Sequence, residues 1–342
     1  MAPAIPWLVR MAAACGRKLG REVWASTAKL LARVEPSRRP ILAVQGEVAL
    51  SSRVAIFCHF HLRGHLSEHA RRYLTALAEA GLSVVFVSNS GRLDPDAVRW
   101  LRPRCAWIIV RCNIGFDFAA WRDGLAIAGL PTAKTEMLLI ANDSVYGPLS
   151  PLGPVLARMD FSVADVWGLT DSWQSRFHLQ SYLVAFGPRA LRHPAFAHFW
   201  AQVRDLRSKE AVIRAYEIGL TQTLLDAGLS CEVLWPYVDT LAALQAAQHE
   251  VVGTSPLVEV QHQAERWILN ASARRVPMNP TAELWRPLLV AGFPFLKREL
   301  LRKNPIGVAD VGAWLDLARA VSPDEADVIL RDLRNSLRKS AP

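Results

Sequence analysis

The sequence lacks several features that would place it in a common class of protein. No apolar run approaches the roughly 18 residues of a membrane-spanning helix. The five cysteines include no Cys-x-x-Cys pair, which argues against a zinc site or a disulfide framework and favours reduced thiols. The first residues do not fit a signal peptide, because Arg10 interrupts their apolar stretch and no basic residue precedes it. We therefore expect a cytoplasmic protein.

Nucleic-acid motifs are also missing, although the chain is basic. Its formal net charge is +9, which suits a polyanionic partner. No run of Lys and Arg with interleaved aromatic residues appears, so we expect no nucleic acid among its partners. A phosphate-bearing substrate or an anionic membrane surface remains.

The chain divides into three predicted segments, residues 1–48, 49–240 and 241–342. Within the first, residues 16–34 can form a basic amphipathic helix, which Pro36 ends. Such a helix either lies on a membrane surface or packs on the body of the protein. The last segment carries mostly helical signals, with breaks at prolines.

The middle segment predicts an α/β fold. Short buried strands at 54–58, 84–87, 107–110 and 137–140 alternate with helices, of which the first is capped by Ser67. This order predicts a mainly parallel sheet with helices on both faces. Further strands are predicted at 166–170, 179–186 and 231–235, and helices at 194–206 and 208–227. No Gly-x-Gly-x-x-Gly loop follows the first strand, which disfavours a dinucleotide-binding enzyme such as an epimerase.

Polar residues follow the third and fourth predicted strands, at the edge where open α/β sheets bind ligands. In the first loop, Gly115 would let the backbone approach a ligand and Asn113 could contact a base or ribose. Asp117 either contributes to that site or caps the helix that follows.

The fourth strand ends in Asn142, Asp143 and Ser144. Mg²⁺ or Mn²⁺ is held by one or two carboxylates together with substrate phosphates. Asp143 could supply the carboxylate and its two neighbours could assist; the alternative is an Asx turn before Gly147.

Three further candidates come from other parts of the chain. His59, which follows the first strand in a cluster with His61 and His65, could contact a pyrophosphate or a base. Glu217, in a predicted helix, is either a general base for an acceptor hydroxyl or a surface residue. The remaining candidates share one face of a predicted strand and would either bind sugar hydroxyls or form a buried hydrogen-bond network: His178, Gln180 and Tyr182.

These motifs, in this order, resemble the rhamnan synthesis protein F family, glycosyltransferase-like proteins of bacterial cell-surface polysaccharide assembly. The resemblance runs from about residue 52 to 310 and rests on the segments 113–121, 142–149, 167–172, 178–182, 216–221 and 292–301. It implies transfer of a sugar, with rhamnose or another deoxyhexose as a candidate, from a nucleotide-sugar donor to a lipid-linked glycan. The mixed apolar and basic segment 293–298 would then contact a lipid-phosphate carrier or begin a helix packed on the core.

The central block also resembles glycosyltransferases with the GT-A fold, in which an apolar strand ends in an Asp-x-Asp metal motif. Gly115 and Asp143 match that pattern, but Ala141 replaces the first acid. A divalent metal is therefore in doubt as a cofactor, and Arg111 or Arg122 could partly replace it. The missing acid also leaves open a non-catalytic scaffold protein of polysaccharide assembly.

Overall fold

A nine-stranded sheet forms the centre of the protein, which a computed structural model describes over residues 40–247 and 256–338. The first five strands in chain order are β1 (Leu42–Gln45), β2 (Arg53–His59), β3 (Ser83–Ser88), β4 (Trp107–Val110) and β5 (Met137–Asn142). Four of them form the parallel part of the sheet, in the order β4, β3, β2, β5. The four parallel strands are nearly continuous apolar runs, as expected of strands covered on both faces. The predicted α/β class, with a mainly parallel sheet flanked by helices, is confirmed.

Antiparallel strands extend this sheet on both sides. β1, which the sequence did not predict and which falls within the segment 1–48, pairs with β4. On the other side β9 (Leu183–Phe186) pairs with β5, β7 (Val166–Ser172) with β9, and β10 (Cys231–Trp235) runs parallel to β7. A short strand β8 (His178–Leu179) also pairs with β7. A separate two-stranded ribbon joins β6 (Val145–Tyr146) to β11 (Leu296–Lys297).

The helices cover both faces of the sheet and form most of the C-terminal part. Ser67 caps the first of them as predicted, by accepting a hydrogen bond from the N–H of Ala70. In chain order they are α1 (Glu68–Glu79), α2 (Pro95–Leu101), α3 (Phe116–Ala128), α4 (Leu152–Ala157), α5 (Pro188–Arg192), α6 (Pro194–Gln202), α7 (Lys209–Val212), α8 (Ile218–Asp226), α9 (Tyr237–Ala247), α10 (Pro256–Ala273), α11 (Pro280–Glu283), α12 (Trp285–Val290), α13 (Arg298–Lys303), α14 (Trp314–Val321) and α15 (Pro323–Arg338).

Alternate residues of each central strand supply the two halves of the core. Ala55 and Phe57 of β2 pack in the cluster that contains α1, whereas Val54 and Ile56 pack in the cluster that contains α3. This alternation follows from the two-residue period of a strand. The indole N–H of Trp121 in α3 donates to the carbonyl of Ala141 at 3.1 Å, which fixes the start of that helix beside the end of β5.

Three predicted elements differ from the structure. The strand predicted over 179–186 is interrupted by a turn at 181–182, so that β8 and β9 are separate. The helix predicted over 208–227 consists of α7, a turn of π-helix (Ile213–Glu217) and α8. The helix predicted over 194–206 ends at Gln202, because the next residue, Val203, has extended backbone angles. The amphipathic helix predicted over 16–34 lies outside the described residues.

Within residues 40–247 and 256–338, no helix combines the length and the apolar character needed to cross a membrane.

Candidate functional site

The site residues meet at the carboxyl edge of the parallel sheet, where β2, β3, β4 and β5 end. Asp143 immediately follows β5, and its N–H donates to the carbonyl of Cys58 on the neighbouring strand at 3.2 Å. Asn89 follows β3, and its amide donates to the Cys58 thiol at 3.4 Å. Strand ends that are far apart in the sequence therefore form one polar edge.

Asp117, in the first turn of α3, points its carboxylate at this edge. It accepts a hydrogen bond from the amide of Asn142 at 2.8 Å and one from the Cys58 thiol at 3.3 Å. The alternative role as a helix cap is not observed, since Gly115 occupies the N-cap position and no side chain caps the helix. Burial raises the pKa of Asp117 to about 6, and the charges of Asp143 and Glu217 act in the same direction. These three carboxylates are therefore close enough to influence one another.

Gly115 has a structural role besides the one predicted. Its φ is +80°, and an added Cβ would lie 2.5 Å from the Cβ of Ala119 and 3.0 Å from the Cα of Asp205. Its N–H donates to the carbonyl of Leu206 at 2.9 Å. The protein's own chain, at Ala119 and at 205–206, thus already requires a glycine here, and the approach of a ligand stays a prediction. Asn113, two residues earlier, is exposed.

The carboxylate of Asp143 is held by a cation from the C-terminal part of the chain. Nη1 of Arg298 lies 3.2 Å from Oδ2 of Asp143 and donates to its carbonyl oxygen at 2.7 Å. The N–H of Phe60 also approaches Oδ2, at 3.3 Å. The Asx turn that was the alternative here is present, but Asn142 makes it: its side-chain oxygen accepts the N–H of Ser144 at 3.0 Å. Asp143 itself remains available to other groups.

Arg111 and Arg122, the cations proposed from the sequence to replace a metal, are engaged elsewhere. Arg111 donates to Asp123 at 2.7 Å, and Arg122 lies 3.0 Å from Asp205. Both belong to a buried ion-pair network under the loop before α3, which fixes that loop. Arg298 takes the position beside Asp143 that was expected of them.

The ligand set of a divalent metal is incomplete in the described part of the chain. No group of three or more His, Cys, Asp or Glu side chains there is arranged to hold one. Asp143 offers one carboxylate, and one of its oxygens is already paired with Arg298. Resident Mg²⁺ and Mn²⁺ are held by carboxylate oxygens that are free to coordinate them. Among the described residues, this edge therefore offers a metal one oxygen of Asp143, where the motif implied by the resemblance has two carboxylates.

His59 and His65, near β2, are bonded to side chains of the protein itself. His59 is only 1 % exposed and its ring shares a hydrogen bond with the hydroxyl of Ser88 at 3.1 Å. Burial lowers its pKa, so it is held as the neutral form within the sheet edge. The side chain does not reach the surface in this structure, and its contact with a pyrophosphate or base stays a prediction. His65 instead pairs with Asp94.

Glu217 lies at the end of the π-helical turn and faces the same edge. Its Oε1 accepts two hydrogen bonds from Ser181, one from the N–H and one from the hydroxyl, each at 3.0 Å. Ser181 lies in the turn that interrupts the predicted strand, beside the end of β5. Ser181 thus orients Glu217, which is half-buried. The alternative from the sequence was a surface residue.

The structure favours a buried hydrogen-bond network for His178, Gln180 and Tyr182. The hydroxyl of Thr170 is bonded to the amide oxygen of Gln180 at 2.8 Å and to the hydroxyl of Tyr182 at 2.7 Å. The His178 ring is bonded to the carbonyl of Arg176 at 2.8 Å. All three side chains are buried, so their polar groups are used within the protein and do not form a face for sugar hydroxyls.

Ser181 is a site residue that the sequence did not identify, and the two cations at 297–298 were assigned by the sequence to a lipid-phosphate contact or a helix start. Phe293, Phe295 and Leu296 are buried in the core, as in the alternative given for the segment 293–298, and do not form a lipid contact. Lys297 and Arg298, which follow them, reach the sheet edge. Their position depends on the pairing of β11 with β6, which no local pattern indicates.

The chain matches the profile of the family described as rhamnan synthesis protein F over residues 84–263. Virulence protein VirA of Vibrio anguillarum is 28% identical over 265 residues, which cover 76% of this chain and 82% of VirA. Uncharacterized protein y4gN of Sinorhizobium fredii is 33% identical over 205 residues, which cover 59% of this chain and 53% of y4gN.

Among solved structures, the chain is similar to the mannosyltransferase PcManGT of Pyrobaculum calidifontis, solved in complex with GDP-Man and Mn²⁺. The match has 15% identity and a TM-score of 0.33, and it covers 96% of this chain and 91% of PcManGT. A similarity at this level carries no statement about activity.

Proposed function

The chain belongs to the rhamnan synthesis protein F family, and we propose that it is a glycosyltransferase. The reaction is transfer of a sugar from a nucleotide-sugar donor to a hydroxyl group of a growing cell-surface polysaccharide. Family membership supports the polysaccharide context, and the chemistry of the sheet edge supports the transfer.

One observation carries the proposal: Asp117, Asp143 and Glu217 lie at the carboxyl edge of the sheet, near enough for the charges of Asp143 and Glu217 to raise the pKa of Asp117, and Arg298 lies beside Asp143. These residues come from four separate parts of the chain. A carboxylate oriented for proton removal next to a cation suited to a phosphate is the combination that sugar transfer from a nucleotide donor requires.

Glu217 is the proposed general base. Ser181 binds one of its oxygens, which orients the carboxylate while leaving the other oxygen for an acceptor hydroxyl. In an inverting displacement Glu217 takes the hydroxyl proton as the acceptor oxygen bonds to the anomeric carbon of the donor. The bond between that carbon and the diphosphate oxygen breaks, and the nucleoside diphosphate leaves with the electron pair.

Asp143 and Arg298 form the proposed donor side of the site. Asp143 holds Arg298 at the end of β5, so that the cation is in place before the donor arrives. Asn113, exposed in the loop before α3, is our candidate contact for the base or the ribose.

Rhamnose or another deoxyhexose is the candidate donor sugar, and a lipid-linked glycan is the candidate acceptor. Both follow from the family alone. The excess of positive charge, +9 in total, would favour work at an anionic membrane surface where such an acceptor is held.

The second candidate function is a non-catalytic scaffold in polysaccharide assembly. The observation that favours it is Ala141 at the position of the first acid of the metal motif, with Asp143 already paired to Arg298. A scaffold would keep the fold and its partners but would not release a nucleotide from a donor.

Donor turnover separates the two. The purified chain is incubated with a panel of nucleotide sugars, first alone and then with membrane extract as a source of acceptor, and nucleoside diphosphate release is measured. A glycosyltransferase releases it from one donor, and Glu217→Gln abolishes the release without changing the fold. Absence of both release and donor binding across the panel, with extract present, would support the scaffold.

A further inference from the structure

The ribbon of β6 and β11 fixes two consecutive cations at the end of β5. Lys297 pairs with Val145, and the N–H of Arg298 donates to the carbonyl of Ser144 at 3.0 Å. Val145 and Ser144 follow Asp143 directly, so the backbone positions both cations relative to that carboxylate. They are not carried on a flexible loop.

The two cations differ in what neutralises them. Arg298 is paired with Asp143, and its guanidinium lies over the ring of Tyr146 at 5.2 Å. The Nε of Arg298 is buried and has no hydrogen-bond partner in the described residues. Nη2 of Arg298 also lies 3.7 Å from Oδ2 of Asp332, so two carboxylates balance the charge of this guanidinium.

Lys297 has no such partner. Its neighbour Leu296 points into the apolar cluster with Trp285, so the side chain of Lys297 leaves the ribbon on the opposite face. Lys297 as a whole residue is half-buried and forms no ion pair among the described residues, while the charges of Glu217, Glu299 and Glu283 act on it from longer range. Burial lowers its pKa, which is the cost of holding an unpaired charge away from water.

We propose that Lys297 binds the diphosphate of the donor and supplies the positive charge for which a divalent cation would otherwise be needed. This rests on the proposed function. The ligand class is a nucleoside diphosphate, because a lysine without an ion-pair partner, close enough to Glu217 for their charges to interact, lies at the edge where open α/β sheets bind phosphate-bearing ligands. This role of Lys297 also explains why the strand ends in one acidic residue instead of two. A site that uses its own cation does not need a second carboxylate to hold a metal.

Binding of nucleoside diphosphates in the absence of metal tests the proposal. ADP, CDP, GDP, UDP and dTDP are titrated into the full chain in buffer with EDTA, and binding is measured by calorimetry, with inorganic pyrophosphate as a probe that lacks the base. At least one nucleotide is expected to bind. Lys297→Met should weaken that binding about tenfold or more, and Lys297→Arg should restore part of it.

Lys209→Met is the matched control. Lys209 is also close enough to act on the pKa of Lys297, but it is 62% exposed and pairs with Glu299 at 3.6 Å. Its removal subtracts the same charge near the site without removing the proposed contact, so binding should change by less than about twofold. Urea unfolding of each variant excludes a loss of fold as the cause.

Three outcomes would overturn the inference. If nucleotides bound only with Mg²⁺ or Mn²⁺, a metal and not Lys297 would neutralise the diphosphate. Turnover that also depended on the metal would then leave the proposed function intact. Unchanged binding in Lys297→Met, with a shifted pH profile of turnover, would make Lys297 a positioning residue for Glu217. No binding and no turnover, with or without metal, would remove the proposed function as well.

Discussion

The guanidinium of Arg298 lies 3.2 Å from the carboxylate of Asp143, although the two residues are 155 positions apart in the sequence. Both side chains are less than one-fifth exposed. Removing either one leaves the other charge partly buried without its main partner, which is more costly than the loss of a surface ion pair.

A double-mutant cycle on this pair should show coupling. Asp143→Asn and Arg298→Met should each lower the free energy of unfolding by about 1 to 3 kcal/mol, and the double variant should lose about 1 kcal/mol less than the sum. Urea unfolding measures all four proteins. The control cycle is Arg319 with Asp327, a pair of similar length at 2.9 Å that is about half exposed, where coupling should stay below about 0.5 kcal/mol. Equal coupling in both cycles would contradict a special role for the buried pair.

Asp117 should make stability depend on pH. Its pKa is raised from 3.8 to about 6, so between these values the folded state keeps a proton that the unfolded state has released. The free energy of unfolding therefore falls as pH rises through this window and stays lowered above it.

The variant Asp117→Asn removes that dependence. Its stability relative to the natural protein should increase by about 1 to 3 kcal/mol from the lower to the upper end of the window. Urea midpoints measured at several pH values give the difference directly. If the difference were the same at every pH, the carboxyl would have an ordinary pKa and would not be buried as described.

Replacing Glu217 should affect the chemical step more than binding. Glu217→Gln keeps an oxygen that can accept from Ser181 but cannot take a proton, so kcat should fall by about 10² to 10⁴ while KM changes little. Ser181→Ala removes one of the two hydrogen bonds that orient Glu217 and keeps the backbone one. Its kcat should fall by about tenfold or less. A parallel rise of KM in Glu217→Gln would instead assign the residue to substrate binding.

Two glycines close to the site should respond in opposite directions to the same substitution. Gly115→Ala should destabilise the protein by about 2 kcal/mol or more, because φ is +80° and the new Cβ would overlap Ala119. Gly219→Ala, inside α8 with no described atom within 4 Å of the added Cβ, should stabilise it by about 0.5 to 1 kcal/mol. Thermal unfolding compares them. A stabilised Gly115→Ala would mean that the loop does not pack on 205–206.

The parts of the fold that the sequence predicts are those set by local pattern. Continuous apolar runs such as 54–58 and 107–110 identify buried parallel strands, and their ends identify the edge of the sheet. Asp117, Asp143 and Glu217 could be selected from the sequence because each stands in a short polar interruption of such a pattern.

The contacts between these segments could not be predicted in the same way. Nothing near Asp143 specifies that Arg298 is its partner, because the backbone pairing of β6 with β11 depends on the whole C-terminal part. Arg111 and Arg122 were preferred from the sequence because they are near the site in the chain. Their carboxylate partners, Asp123 and Asp205, became evident only in the folded protein.

The interrupted strand shows how a pattern can mislead. The pattern of residues 179–186 predicts one strand, but a turn at 181–182 breaks it. That turn directs the N–H and hydroxyl of Ser181 to Glu217, where a continuous strand would have used the N–H in its own ladder.

The ribbon of β6 and β11 also sets an order of assembly. All strands of the large sheet are present once the chain has been made as far as Trp235, yet the cations at 297–298 are translated later. A nascent chain can therefore form its sheet while Asp143 still lacks its partner, Arg298. The ion pair of Asp143 and Arg298 can form only when the C-terminal segment docks, so this contact is among the last to form during biosynthesis.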